Sequence, residues 1–159
     1  MPRCISWAPR TSCWIGRSSC SEYNSPLSSA ITAANTAPFG WLDVPAAGAT
    51  VGGPAVAVSG WVLDQEDPTL TVQLLVDGAV VSSSPTRAAR ADVCAAFPTV
   101  GHCATSQPGV TFAWNTTTVG NGAHTLALRA IDPAGLSATI DTRTVTVSNS
   151  GAPNPVPTL

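Results

Sequence analysis

The sequence predicts an all-β fold, an antiparallel β-sandwich of about seven short strands. Three observations favour it: apolar and polar residues alternate in short runs, Val, Thr and other β-branched residues dominate these runs, and Gly, Pro, Asn and Asp separate them. Several short strands with turn residues between them are typical of a sandwich. Apolar residues make up 44% of the chain, which is enough to build one core.

The first predicted strands lie before residue 65. PFGWLDVP contains a strand at about 40–44 that Pro45 ends, and the Gly and Pro residues of ATVGGP allow a turn. AVAVSGWVLD alternates, with Val56, Val58 and Val62 on one face, and its Gly60 indicates a β-bulge or a close approach of two backbones.

The stretch LTVQLLVDGAVVSSS predicts a hairpin, because Asp77-Gly78 suits the positive φ angles of a tight turn. Three further strands are predicted in GVTFAWN, HTLALRAID and SATIDTRTVTV. The residues that we expect to face one common core are Leu70, Val72, Leu74, Val76, Val110, Phe112, Trp114, Leu126, Leu128, Ala130, Ile140, Val145 and Val147.

The composition changes along the chain and predicts three parts. Residues 1–37 are Ser-rich without sustained periodicity, so we expect them to be irregular and unfolded. Residues 38–148 form the predicted sandwich. The Pro-rich residues 149–159 are typical of an extended linker, so we expect the neighbouring domains of the same polypeptide to be its first partners.

Charge and hydropathy exclude several classes of function. The net charge is −2, and the basic residues are dispersed arginines, which argues against a nucleic-acid partner. No apolar run is long enough to predict a membrane span, and no export signal is visible.

The segment RADVCAAFPTVGHC interrupts the strand pattern and predicts an insert stapled by a disulfide between Cys94 and Cys103. ADVCAAF suits one helical turn that Pro98 ends, and we expect the insert to lie against Trp61. A disulfide implies an oxidising, exported location. Two alternatives are a pair of reduced thiols and a zinc site that includes His102. The remaining cysteines, an odd number, are Cys4, Cys13 and Cys20.

Several stretches between Pro38 and Asn149 form a familiar pattern: AVSGWVLD, LLVDGAVV, the cysteine-containing insert and, most specifically, NTTTVGNGAHTLALRAIDPAGLSATI. Together they resemble a bacterial immunoglobulin-like domain of the fibronectin-III-like kind, found in tandem on exported and cell-surface proteins. The resemblance implies an immunoglobulin-like sandwich and an extracellular or cell-surface location, with function only by association. The Cys...Trp...Cys pattern of antibody domains is absent, so antigen-like recognition is not implied.

His124 follows the Asn121-Gly122 turn, near the place where related sandwiches carry a tyrosine that ties down a corner loop. We therefore expect His124 to be a structural corner residue. The alternative, a general base or metal ligand, requires a nucleophile that the sequence does not identify.

Acidic residues in LDQEDP and IDPAG suggest a weak calcium site, because these two loops are expected at the same end of the sandwich and Ca²⁺ prefers oxygen ligands. The alternative is that both are solvated turns fixed by Pro68 and Pro133. The candidate calcium ligands are Asp64, Glu66, Asp67 and Asp132.

No catalytic motif occurs, so no catalytic residue, enzyme activity or cofactor is predicted. The leading function is a noncatalytic module that spaces, presents or adheres as part of a larger bacterial extracellular protein, with a surface protein or polysaccharide as a further partner. A carbohydrate-binding accessory module would use exposed Trp41 or Trp61, whereas Trp114 is expected in the core. The third hypothesis is a sandwich appended to a secreted hydrolase.

Overall fold

A computed structural model describes residues 34–149 of the chain, which form two β-sheets packed face to face. The strands are β1 (Phe39–Val44), β2 (Thr50–Val51), β3 (Val56–Leu63), β4 (Thr71–Val76), β5 (Ala79–Ser82), β6 (Thr86–Ala88), β7 (Gly109–Trp114), β8 (Gly122–Ile131) and β9 (Ser137–Val147). Two short helices, α1 (Ala91–Ala96) and α2 (Cys103–Ser106), precede β7. Neither helix is long and apolar enough to cross a membrane. The predicted all-β sandwich is confirmed.

The predictions for both ends of the chain fall largely outside the described residues. Of the segment 1–37 only residues 34–37 are described, and of the linker 149–159 only Asn149 is described. Cys4, Cys13 and Cys20 also lie outside the described residues.

One sheet has the strand order β1-β3-β7-β6 and the other β2-β9-β8-β4-β5. The prediction of seven antiparallel strands missed β2 and β6, and β2 runs parallel to β9. Strands of two and three residues are too short to show an alternating pattern, which is why they escaped prediction.

The main core lies between the two sheets and consists of the inward residues of the longer strands. The predicted inward set is confirmed, with Leu70 and Ile140 partly buried and Trp114 only 3% exposed. The other predicted residues of this core are buried: Val58, Val62, Val72, Leu74, Val76, Val110, Phe112, Leu126, Leu128, Ala130, Val145 and Val147. Burial of this apolar surface is the main force that holds the sheets together.

The two predicted special backbone positions are also confirmed. Asp77 and Gly78 have φ angles of 50° and 81°, as the hairpin turn between β4 and β5 requires. Gly60 lies where β3 approaches β1 so closely that a Cβ atom would be 2.2 Å from the carbonyl oxygen of Trp41. The pairing of β1 and β3 shifts register next to this point, between Leu42 and Val44.

The insert covers the outer face of the four-stranded sheet and forms a second core there. Cys94 and Cys103 are joined by a disulfide, with 5.5 Å between their Cα atoms, which confirms the predicted staple. The ring of Phe97 lies 5.3 Å from that of Trp61, centroid to centroid. The buried members of this second core are Leu63, Val93, Val100 and Cys103. The insert therefore protects apolar residues on a face that would otherwise be exposed to solvent.

Candidate functional site

The two acidic loops meet at one end of the sandwich, which we call the acidic end: residues 64–70 and 132–136. Thr71 at the start of β4 pairs with Ile131 at the end of β8, so the loop before β4 and the loop after β8 are neighbours. An open groove of about 270 Å³ runs between the loops, lined by Thr69, Leu70, Thr71, Ile131, Asp132 and Pro133.

Asp64 organises the first loop. Its Oδ1 atom accepts hydrogen bonds from the backbone N–H groups of Glu66 and Asp67, at 2.8 and 2.9 Å. This is the local side-chain turn that Asp favours after a strand. The residue is fully buried, at 0% exposure, and its Oδ2 atom has no hydrogen-bond partner.

Asp132 organises the second loop in a similar way. Its Oδ1 atom accepts a hydrogen bond from the backbone N–H of Leu136 at 2.8 Å, and its Oδ2 atom accepts one from the side-chain amide of Asn35 at 2.6 Å. Burial acts to raise the pKa of Asp132, but the hydrogen bonds from Asn35 and Leu136 outweigh it and the pKa is lowered. Asp132 is therefore ionised at neutral pH, although its side chain is almost fully buried.

The pKa values of the other two acids, Glu66 and Asp67, are shifted in opposite directions. The side-chain hydroxyl and the backbone N–H of Thr36 donate hydrogen bonds to Oε2 of Glu66, at 2.8 and 3.1 Å, and both lower its pKa. Desolvation and then the negative charges of Asp64, Asp132 and Glu66 raise the pKa of Asp67. The four predicted acids are thus close enough to interact electrostatically.

The predicted calcium ligands share one end, but the present arrangement is not a finished metal site. Between residues 34 and 149, no group of three or more His, Cys, Asp or Glu side chains is arranged to hold a metal ion. Hydrogen bonds already occupy Oε2 of Glu66 and both carboxylate oxygens of Asp132. The zinc alternative is wrong, because Cys94 and Cys103 are consumed by the disulfide.

The insert holds the acidic loop in place. Nε2 of His102 lies 3.1 Å from the carbonyl oxygen of Asp64, and the amide of Gln65 donates a hydrogen bond to the carbonyl oxygen of Thr99 at 3.1 Å. A carbonyl can only accept, so the His102 ring is the donor in the first contact. The stapled insert therefore positions the acidic end as well as covering Trp61.

His124 connects two loops at the opposite end of β8. Its Nδ1 lies 2.6 Å from Oδ2 of Asp77, and its Nε2 lies 2.8 Å from the carbonyl oxygen of Gly120. The contact with Asp77 raises the pKa of His124 above its ordinary value. The side chain thus ties the β4–β5 hairpin turn to the loop before β8, the type of contact expected of a corner residue.

The three tryptophans within residues 34–149 have different environments. Trp114 is in the main core, and Trp61 is partly buried beneath the insert. Trp41 is 54% exposed on β1, with the guanidinium carbon of Arg143 at 5.4 Å from its ring centroid. Of the two predicted carbohydrate-stacking residues, Trp41 therefore offers the more accessible ring.

The sequence did not predict that Asn35 and Thr36 contribute to the acidic end. They lie in the segment without periodicity, and their partners are 97 and 30 residues away along the chain. Sequence spacing does not reveal contacts of this kind. The ion pair of Arg90 with Asp43, at 2.7 Å, was missed for the same reason.

Comparison with known proteins identifies the fold and does not identify a family. No protein-family model and no curated protein matches the chain. An endo-β-1,4-mannanase structure from Thermotoga petrophila is similar, with a TM-score of 0.52 and 17% identity over 72% of this chain and 20% of that one. Fibronectin(III)-like modules of CbhA from Clostridium thermocellum match with a TM-score of 0.49 and 17% identity, over 77% of this chain and 53% of that one. The chain spans a fifth of the mannanase structure and about half of the CbhA structure.

Proposed function

We propose that the sandwich is a noncatalytic, immunoglobulin-like module of a larger bacterial extracellular or cell-surface protein, in which it spaces, presents or attaches other domains. The observation that carries this proposal is the disulfide between Cys94 and Cys103, which closes the second core. Structural disulfides persist mainly in oxidising compartments. The likeness of the chain to one fifth of a mannanase structure agrees with a module that belongs to a longer polypeptide.

The location is tested by mass spectrometry of a nonreduced digest of the protein isolated from its own host. A linked peptide pair containing Cys94 and Cys103, found in the secreted or surface fraction, supports an exported module. Recovery of the protein in the cytoplasmic fraction, with free thiols at both positions, would overturn the proposal.

The absence of catalysis is tested by incubating the full chain with a panel of polysaccharides, including mannan, cellulose, chitin and peptidoglycan. We expect no release of reducing sugars above a buffer blank. Hydrolysis that persists after repeated purification and is abolished by a single substitution at the acidic end, such as Asp132→Asn, would contradict the noncatalytic function.

A second candidate function is carbohydrate binding, which the exposed ring of Trp41 favours. A flat, partly exposed indole offers an apolar face on which a sugar ring can stack. Our main proposal predicts weak or no retention on insoluble cellulose, chitin and peptidoglycan. Strong retention that is lost in Trp41→Ala but kept in Val81→Ala, a control at an exposed strand position, would favour the carbohydrate-binding module instead.

The third candidate is a sandwich appended to a secreted hydrolase, which the likeness to part of a mannanase structure suggests. The coding sequence on either side of this chain distinguishes the candidates. A neighbouring catalytic domain favours the appended sandwich, whereas further sandwich repeats favour the spacer.

A further inference from the structure

A single Asn-X-Ser/Thr sequence occurs in the whole chain, at Asn115-Thr116-Thr117. This sequence is the acceptor for N-linked sugars in surface loops of secreted proteins, provided that X is not Pro. A pattern of three residues does not by itself define a site. The structure must also show an accessible Asn115 whose amide nitrogen is free to react.

The three residues lie directly after β7, where the loop to β8 begins with a 3₁₀ turn. Asn115 and Thr117 are exposed, whereas Thr116 between them is fully buried. The backbone N–H of Thr116 donates a hydrogen bond to the carbonyl oxygen of Gly53 at 3.0 Å. The carbonyl oxygen of Thr116 accepts one from the side-chain amide of Asn149 at 2.9 Å. These contacts fix the turn, so that Asn115 and Thr117 face solvent on a defined backbone.

The side chain of Asn115 contacts Thr117 through its oxygen and leaves its nitrogen available. Oδ1 of Asn115 accepts hydrogen bonds from the backbone N–H and the hydroxyl of Thr117, at 3.1 and 2.7 Å. A backbone N–H can only donate, so the atom at this contact is Oδ1 and not Nδ2. Among the hydrogen bonds within residues 34–149, none has Nδ2 of Asn115 as its donor. Donors on Oδ1 stabilise the negative charge that develops on the amide when Nδ2 gives up a proton.

We propose that Nδ2 of Asn115 is a glycosylation site, which accepts a sugar from a sugar diphosphate linked to a lipid or to a nucleoside. Nδ2 forms a bond to C1 of the sugar, and the bond between C1 and the diphosphate oxygen breaks. The proton lost from Nδ2 passes through a base of the transferase to the leaving diphosphate, and nothing is oxidised or reduced. Oδ1 remains an acceptor in the glycosylated amide, so its contacts with Thr117 persist. The modification goes beyond the spacer function and does not depend on it.

The test is mass spectrometry of the full chain isolated from its own host, in separate secreted and cytoplasmic fractions. We expect the peptide that contains Asn115 to carry an added mass equal to a whole number of sugar residues, and fragmentation to place that mass on Asn115. An adduct confined to the secreted fraction indicates the lipid-linked donor, whereas an adduct that is also present in the cytoplasmic fraction indicates the nucleotide-linked donor. An unmodified Asn115 in both fractions would overturn the proposal.

Variants produced in the same host separate this site from sugars attached to hydroxyl groups. We expect Asn115→Gln to lose the adduct, because its amide lies one methylene further from the turn. Thr117→Ala is expected to lose the adduct as well, because it lacks the hydroxyl that contacts Oδ1, and Thr117→Ser is expected to keep it. Thr118→Ala is the matched control, since the hydroxyl of Thr118 contacts the backbone oxygen of Asn115 and not its side chain.

Thermal unfolding of each variant shows whether it folds. An adduct that persists in folded Asn115→Gln, or that is lost from folded Thr118→Ala, contradicts the assignment to Nδ2 of Asn115. If Asn115→Gln does not fold, the pair Thr117→Ala and Thr117→Ser decides, and equal occupancy of Asn115 in the two variants refutes the role of the Thr117 hydroxyl and with it the proposal.

Discussion

Nδ1 of His124 lies 2.6 Å from Oδ2 of Asp77, and the same ring contacts the carbonyl oxygen of Gly120 through Nε2. A carbonyl and a carboxylate both accept hydrogen bonds, so both ring nitrogens are satisfied as donors only when His124 is protonated. Oδ1 of Asp77 in turn accepts the backbone N–H of Thr125 at 2.8 Å. The charged pair thus fastens the β4–β5 turn to the start of β8.

This pair predicts a pH-dependent stability. The folded-state pKa of His124 is raised, so its stabilisation is complete below the unfolded value of about 6.5 and is lost as pH rises through the raised pKa. The pKa of Asp77 is lowered, so its contribution is present above about pH 3.9 and is lost as pH falls through the lowered pKa. We expect His124→Gln to destabilise by up to about 1 kcal/mol between about pH 4 and 6.5, and by less at alkaline pH.

Urea unfolding across this pH range measures the effect, and a double-mutant cycle with Asp77→Asn isolates the pair. In the Asp77→Asn background the pH dependence of the His124→Gln effect is expected to shrink, because only the contact with the Gly120 carbonyl oxygen then favours the protonated ring. The same pH dependence in both backgrounds would show that another group is responsible.

The Cys94–Cys103 disulfide is expected to stabilise the sandwich by about 2–3 kcal/mol, the chain-entropy value for closing a loop of roughly ten residues. Its loss in Cys94→Ala/Cys103→Ala should lower the free energy of unfolding by this amount. It should also shift the tryptophan emission to the red, because Trp61 packs under Phe97 of the insert. Guanidinium unfolding followed by fluorescence measures both, in a background where Cys4, Cys13 and Cys20 are replaced by Ser. Unchanged stability and emission would mean that the insert packs without its staple.

Gly60→Ala is expected to destabilise the fold by about 1–3 kcal/mol, because the new Cβ atom would lie 2.2 Å from the backbone oxygen of Trp41 and a strand must move to admit it. Gly101→Ala is the matched control, since a Cβ atom there meets nothing within 4 Å. Thermal unfolding compares the two variants. An equal loss of stability in both would contradict the close approach of β1 and β3.

Limited proteolysis is expected to leave one resistant fragment that corresponds to about residues 38–148. Cleavage should remove the Ser-rich N-terminal residues and the Pro-rich end, because neither sequence shows sustained strand or helix periodicity. Mass spectrometry of the fragments identifies the cleavage points. Early cleavage between Val56 and Val76 would show that the predicted domain boundaries are wrong, because β3 and β4 supply central core residues.

The sequence by itself determined the elements that depend on neighbouring residues. Alternation over the longer strands identified which side chains enter the main core, and Asp77-Gly78 identified the hairpin turn. The helical turn α1 followed from ADVCAAF and the Pro that succeeds it. These signals are local, because strand periodicity and turn chemistry are properties of consecutive residues.

Only the tertiary structure decided which side chains of the candidate sites are exposed and which are buried. Trp41 and Trp61 occupy paired positions of β1 and β3, yet the insert covers Trp61 and leaves Trp41 exposed. Likewise, the sequence identified the acids of the acidic end but not the complete burial of Asp64. That burial depends on elements distant along the chain that pack together, and a pattern of consecutive residues carries no information about such packing.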